Sequence, residues 1–115
     1  MNSLELAHVV VEAIEDKLGA SILLLDLQGI SMVADYYVIA TGGSDRHLKA
    51  LARTVTELYG QKRNTGLRDL DDQATSGWVL LDLGEVIVHL FIGRQREHYG
   101  LEKLWSDGKV LLRVQ

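Results

Sequence analysis

The stretch WVLLDLGEVIVHLFI, residues 78–92, decides the fold class of this chain. Two runs rich in aliphatic and β-branched residues flank Gly84-Glu85, and two such runs joined by two turn residues predict an antiparallel β-hairpin. Residues 36–41, rich in aromatic and β-branched side chains, predict another strand, and the apolar run 22–27 predicts a further, buried one. The hairpin excludes a purely parallel sheet.

Two amphipathic helices are predicted around the first two strands. In the first helix, apolar residues recur every four positions from Leu6 to Leu18, with Ser3 as the predicted N-cap and Gly19 as the residue that ends the helix. In the second, Ser44 is the predicted N-cap. Six apolar positions of that helix share one face: Leu48, Leu51, Ala52, Val55, Leu58 and Tyr59.

The second half of the chain is less regular before the hairpin than after it. Residues 61–77 mix charges with glycines and predict a loop, with a short strand at 67–70 as an alternative. A third helix is predicted over residues 95–106, followed by a short extended segment at 110–114. Together these elements predict an α/β fold, a mixed β-sheet flanked by helices, in a single domain that spans residues 1–115.

The composition restricts the chemistry that the chain can carry out. It has 115 residues and no cysteine, which excludes disulfides, thiolate metal sites and a cysteine nucleophile. The net charge of −4 disfavours extensive direct binding to nucleic acid and favours a basic protein as partner. Neither a membrane-spanning run nor a signal-peptide pattern is present in the sequence, so the cytoplasm is the expected location.

The enzymatic alternative is a small magnesium-dependent nucleotidyltransferase. It would use Ser44 at a strand-to-helix junction together with Asp69 and Asp71, whose spacing is that of metal-holding acids on a strand. The two acids lie in the predicted loop, and Asp82 is followed two residues later by Gly84 rather than by a second acid. The junction also lacks the further glycines and the lysine of phosphate-binding loops. Binding of another macromolecule, without catalysis, metal or cofactor, is therefore the favoured function.

One face of the first hairpin strand is the best candidate for a binding surface. Strand side chains alternate between faces, so Trp78, Leu80 and Asp82 share one face. An aromatic anchor beside a charge is typical of a protein-binding hot spot. The opposite face is aliphatic and suits helix packing: Val79, Leu81 and Leu83. The alternative is that a third helix covers the tryptophan face. His89, in the middle of the second hairpin strand, is expected to be a hydrogen-bonded sheet histidine.

Four blocks of sequence occur together in this chain: ADYYVIATG at 34–42 followed by Ser44, WVLLD at 78–82, VIVH at 86–89 and REHYGLEKLW at 96–105. In this order and spacing they resemble the ribosomal silencing factor family, also called the Iojap family, over residues 4–107. One stretch departs from the family pattern. Where family members commonly carry Glu-Gly shortly before the tryptophan strand, this chain has Asp-Asp-Gln-Ala at 71–74.

The resemblance implies a nucleotidyltransferase-like α/β fold without transferase activity. It implies binding to ribosomal protein number fourteen of the large subunit, where the small subunit would dock, so that subunit joining is blocked and translation is repressed when nutrients are short. A role in large-subunit maturation is implied as well. The expected contact residues are Trp78, Leu80 and Asp82, to which the family blocks add His89, Arg96 and Tyr99. A homodimer that hides the same face in the free protein is a further alternative.

Overall fold

The computed structural model describes residues 2–32, 34–59, 67–93, 96 and 109–114 of the chain. The helices in this part are α1 (Ser3–Asp16), α2 (Asp45–Tyr59) and α3 (Leu67–Ser76). The strands are β1 (Ala20–Asp26), β2 (Tyr36–Gly42), β3 (Trp78–Asp82), β4 (Val86–Ile92) and β5 (Lys109–Val114). No helix in the described residues is both long enough and apolar enough to cross a membrane.

The strands form one mixed sheet in the order β3-β4-β2-β1-β5. β3 and β4 form the predicted antiparallel hairpin, in which Trp78 lies opposite Phe91 and Leu80 opposite His89. β2 and β4 are parallel, whereas β1 is antiparallel to both β2 and β5. The prediction of a mixed sheet flanked by helices is confirmed, and so is the extended segment at the end of the chain. The predicted helix at 95–106 lies outside the described residues, except for Arg96.

The main hydrophobic core joins the apolar faces of all three helices to one face of the sheet. Val10 and Ile14 of α1 and Leu48 and Leu51 of α2 are each fully buried in it. The sheet contributes every second residue of its strands, including Val79, Leu81, Val86, Val88 and Leu90. Full burial of one such side chain stabilises the fold by about 1.5–3 kcal/mol relative to its exposure. This core therefore fixes which sheet face β3 turns towards the helices and which face it turns away.

The N-terminus of α1 is capped one residue earlier than predicted. Asn2, and not Ser3, is the N-cap: its Oδ1 accepts a hydrogen bond from the Glu5 amide at 2.8 Å, and the Asn2 amide donates to Glu5 Oε1 at 3.5 Å. Both residues are good cap formers, so composition alone could not choose between them. The prediction for α2 is confirmed, because Ser44 Oγ accepts from the His47 amide at 3.1 Å.

The C-terminal end of α1 also differs from the prediction. Leu18 takes the left-handed conformation, with φ 67°, and the Gly19 amide donates to the Ile14 carbonyl at 2.8 Å. Glycine is needed at position 19 for space: a Cβ there would come within 2.3 Å of Ile14 Cγ2. The glycine therefore ends the helix by close approach to the preceding turn, and Leu18 adopts the strained backbone.

The segment 67–76 is a helix, so both the loop and the alternative strand predicted there are wrong. α3 buries Ala74 completely in the core, and its Gln73 Oε1 accepts a hydrogen bond from the Leu80 amide at 2.8 Å. These contacts hold a polar helix with few apolar residues against β3. Tertiary packing thus overrides the weak local signal, as it does for many short helices. By this hydrogen bond the side-chain amide of Gln73 also covers part of the outer edge of β3.

Candidate docking surface

The residues Trp78, Leu80 and Asp82, here called the β3 face, point away from the helices. Val79 and Leu81 between them are fully buried in the main core, whereas Leu80 is 39% exposed, Asp82 is exposed and Trp78 is half-buried. The predicted alternation is therefore confirmed. It leaves an aromatic ring, an aliphatic side chain and a carboxylate in a row along the edge strand of the sheet.

The same side of the sheet is closed towards its middle. Five residues form a second buried cluster there: Leu23, Leu25, Leu27, Ile39 and Phe91. Trp78 and Tyr37 are only partly buried and pack against this cluster. This side of the sheet is thus covered in its middle and accessible along β3. The alternative that a third helix covers the tryptophan face concerns the predicted helix at 95–106, which lies outside the described residues except for Arg96. The accessible part is the β3 edge, and the indole of Trp78 lies at the boundary.

Trp78 is held in place by two aromatic neighbours on β4. Its ring centroid lies 5.3 Å from that of Phe91, directly across the hairpin, with 22° between the planes. The ring of His89, on the diagonal position, is 5.9 Å away at 27°. Tyr37 of β2 extends the row, with its centroid 4.7 Å from that of His89. Aromatic pairs at these separations attract one another beyond their shared burial.

A hydrogen bond links the indole to the histidine. Trp78 Nε1 donates to His89 Nδ1 at 3.1 Å. An indole N–H can only donate, so Nδ1 must be the unprotonated nitrogen, and the proton of the neutral imidazole lies on Nε2. That Nε2 is buried and has no hydrogen-bond partner within the described part of the chain. Burial lowers the pKa of His89 from 6.5 to about 4, which keeps the ring neutral at physiological pH.

His89 is placed beneath the surface rather than on it. The sequence predicted a hydrogen-bonded sheet histidine, which is what the structure has, and the family resemblance suggested a contact residue. With a side chain only 3% exposed, His89 is covered in the free protein. Any influence on a partner must therefore be indirect, through neighbours such as Trp78. The pairing could have been predicted, because a two-residue turn at Gly84-Glu85 sets the register that places His89 diagonal to Trp78.

Asp82 combines an exposed carboxylate with a local structural role. Its Oδ1 accepts a hydrogen bond from the Gly84 amide at 2.8 Å, an Asx turn that begins the hairpin loop. Gly84 adopts φ 95°, a conformation that glycine reaches without strain. The turn fixes the position of this exposed carboxylate at the end of the β3 face.

Arg96 lies apart from the β3 face. Its Nη1 donates to Thr41 Oγ1 at 2.9 Å and to the Ser21 carbonyl, which connects the end of β2 to the irregular start of β1. Ser21 there has a positive φ of 49°. The guanidinium thus joins two strands on the far side of β4 from the β3 face, and the contact role of Arg96 stays a prediction. Tyr99, the other residue suggested by the resemblance, lies outside the described residues.

The backbone places the residues of the enzymatic alternative differently from the predicted arrangement on a strand. Ser44 is occupied as the cap of α2, and positions 69 and 71 fall on a helix, where residues two apart do not share a face. Within residues 2–32, 34–59, 67–93, 96 and 109–114, no group of three histidine, aspartate or glutamate residues could hold a metal ion. The geometry gives no support to magnesium-dependent nucleotidyl transfer.

His47 fills the turn between β2 and α2. Its Nδ1 accepts from the Gly43 amide at 2.9 Å, so its Nε2 donates to the Lys17 carbonyl at 2.7 Å. The ring thereby links the end of α1 to the start of α2. The Gly43 amide, which a phosphate-binding loop at this junction would use as a donor, already donates to His47.

The comparisons with known proteins agree with the resemblance found in the sequence. Residues 1–114 match the family model for the ribosomal silencing factor during starvation. The chain belongs to the ribosomal silencing factor family. It is 38% identical to the ribosomal silencing factor RsfS of Bacillus subtilis, over 93% of this chain and 90% of that protein. The match places the β3 face in a family that is named for its action on ribosomes.

Two further relatives bear on the fold and on the ribosomal subunit. A crystal structure of a protein from Chromobacterium violaceum superposes with a TM-score of 0.78 at 32% identity, covering 92% of this chain and 88% of that one. A mouse protein named for mitochondrial assembly of the ribosomal large subunit is 34% identical over 63% of this chain and 32% of its own length. The family assignment and the α/β fold are confirmed, whereas the likeness to nucleotidyltransferases stays a prediction.

Proposed function

We propose that this silencing factor binds the large ribosomal subunit through its β3 face and thereby prevents the small subunit from joining. The docking partner would be ribosomal protein number fourteen, and the effect would be repression of translation in the cytoplasm. The observation that carries the proposal is the β3 face itself. It presents a fixed indole, an exposed leucine and an exposed carboxylate on the side of the sheet that faces away from α1, α2 and α3.

The mechanism requires only that the bound protein occupies the joining face of the large subunit, and it involves no chemical reaction. Trp78 would insert as the apolar anchor, Leu80 would extend the contact, and Asp82 would pair with a basic or hydroxyl group of the partner. The net charge of −4 favours approach to a basic ribosomal protein. A domain bound at the joining face excludes the small subunit by volume alone. The name of the mouse relative supports the choice of subunit, and a role in large-subunit maturation belongs to the same proposal.

The proposal is tested by a subunit-joining experiment on sucrose gradients. Large subunits are saturated with the protein, small subunits are added, and the fraction of joined ribosomes is measured. We expect the protein to sediment with free large subunits, and we expect the joined fraction to fall as occupancy rises. Small subunits alone, which should not carry the protein, are the control. Undiminished joining on saturated large subunits would remove the steric mechanism.

The docking partner is tested by crosslinking from the β3 face. A photoreactive amino acid in place of Leu80 should crosslink to ribosomal protein number fourteen, because that side chain is exposed beside the anchor. The same group in place of Glu12, an exposed residue on α1, is the matched control and should not give that product. A homodimer of the free protein that hides the β3 face stays a prediction, and crosslinks between two copies would reveal it.

Asp82→Asn should weaken binding to the large subunit about threefold and flatten its dependence on salt. The amide keeps an oxygen for the Gly84 N–H, so the turn is retained while the charge is lost. A solvent-exposed ion pair contributes about 0.2–1 kcal/mol and is screened by salt. Affinity is measured by co-sedimentation at several salt concentrations, with Glu12→Gln on α1 as the charge-matched control. Equal affinities and equal salt slopes for the two variants would show that Asp82 takes no part in docking.

A further inference from the structure

A buried histidine lies directly behind the proposed anchor of the docking surface. His89 is the buried polar side chain within the described residues, at 3% exposure, and its surroundings are aromatic and aliphatic. One of its nitrogens accepts from Trp78 Nε1, and the other is a buried donor with no partner in the described part of the chain. An apolar side chain at this position would avoid the cost of burying that donor. The histidine therefore needs a reason beyond packing.

The acceptor on the ring supplies that reason. A partly exposed tryptophan can rotate about two side-chain bonds, and stacking of flat rings is compatible with more than one in-plane direction of the indole. The Nε1–Nδ1 hydrogen bond of 3.1 Å selects one direction. The lowered pKa of His89, about 4, keeps Nδ1 unprotonated and able to accept over the whole physiological range.

We infer that His89 is a positioning residue of the docking surface, which fixes the orientation of Trp78 before a partner arrives without touching the partner itself. The inference rests on the proposed function, because it concerns the orientation of Trp78, the proposed anchor of docking. Ordering a side chain in advance removes an entropic cost from the binding step. For one aromatic side chain held by one hydrogen bond, this corresponds to a change of about two- to tenfold in affinity.

A pair of variants of equal shape separates positioning from packing. Leucine and asparagine branch at the same atom, but only asparagine offers an acceptor, its Oδ1, bonded to Cγ as Nδ1 is in histidine. We compare His89→Leu with His89→Asn in the full chain. His89→Phe, which keeps a ring between Trp78 and Tyr37 and has no acceptor, replaces the leucine variant if that variant is not folded.

The first measurement is made on the free protein. The indole N–H of Trp78 is observed by proton–nitrogen NMR and assigned with Trp78→Phe, which leaves only the signal of Trp105. We expect the His89→Leu variant to shift this signal and to speed its exchange with solvent, and we expect His89→Asn to restore both towards the wild type. An indole signal that does not respond to His89→Leu would overturn the inference.

The second measurement is affinity for large subunits by co-sedimentation. Binding should weaken about two- to tenfold for His89→Leu and recover for His89→Asn. Equal losses for both variants would mean that His89 only fills space, which overturns the positioning role. Trp78→Ala separates the two ideas: if it binds normally, the proposed docking surface fails and the positioning role fails with it. If it loses binding while His89→Leu does not, only the positioning role fails.

Discussion

Trp78→Ala should weaken binding of the protein to large ribosomal subunits by at least about thirtyfold, equivalent to about 2 kcal/mol. The indole is the largest side chain of the β3 face, and it already sits in a fixed orientation between Phe91 and His89. A half-buried ring of this kind can bury its remaining surface against a partner with little further loss of freedom. Central aromatic anchors carry a large share of the affinity in protein interfaces, so truncation of this one should cause a large loss of affinity.

The same substitution also removes contacts inside the protein. It takes away the stacking on Phe91 and leaves His89 Nδ1 without its donor, so some loss of stability is expected as well. Urea unfolding of the free variant measures that loss, and co-sedimentation is then carried out under conditions in which the variant is folded. Leu58→Ala on α2, where the side chain is 45% exposed, is the matched control and should bind normally. Normal binding by folded Trp78→Ala would contradict the docking surface.

The hairpin and its two faces could be predicted from the sequence because they depend on local rules. The pair Gly84-Glu85 sets the turn, the alternation of residues 78–83 sets the faces, and both are confirmed. α3 could not be predicted in the same way. Its helix depends on burying Ala74 and on the hydrogen bond from Leu80 to Gln73, and both contacts come from parts of the chain that meet only in the folded state.

The candidate site was predicted more completely on the surface than beneath it. The sequence identified Trp78 and Asp82 by type and spacing. The predicted turn places His89 diagonal to Trp78, but the hydrogen bond between them also depends on the side-chain conformations of both rings, which the residue types do not give. The sequence also did not show that Arg96 donates to Thr41 and Ser21 within the fold, and its contact with a partner stays a prediction.

The free energy of unfolding should fall by up to about 3 kcal/mol between pH 6.5 and pH 4 because of His89 alone. The pKa of this ring is about 4 in the folded protein, lowered by burial from 6.5. Below pH 6.5 His89 therefore binds a proton in the unfolded chain but not in the folded chain, and this difference favours unfolding. The effect levels off below pH 4, where both states become protonated. One pKa unit corresponds to about 1.36 kcal/mol, which sets the upper bound.

Other groups also titrate in this range, so the prediction concerns a difference between two proteins. Urea unfolding is measured from pH 7 to pH 4.5 for the wild type and for His89→Leu, and the two free energies are subtracted at each pH. Carboxylates and the other histidines contribute nearly equally to both and cancel. The free energy of unfolding of the wild type minus that of His89→Leu should fall by about 2–3 kcal/mol on acidification. Parallel curves would show that the imidazole can be protonated without leaving its place beside Trp78, and that burial does not hold it neutral.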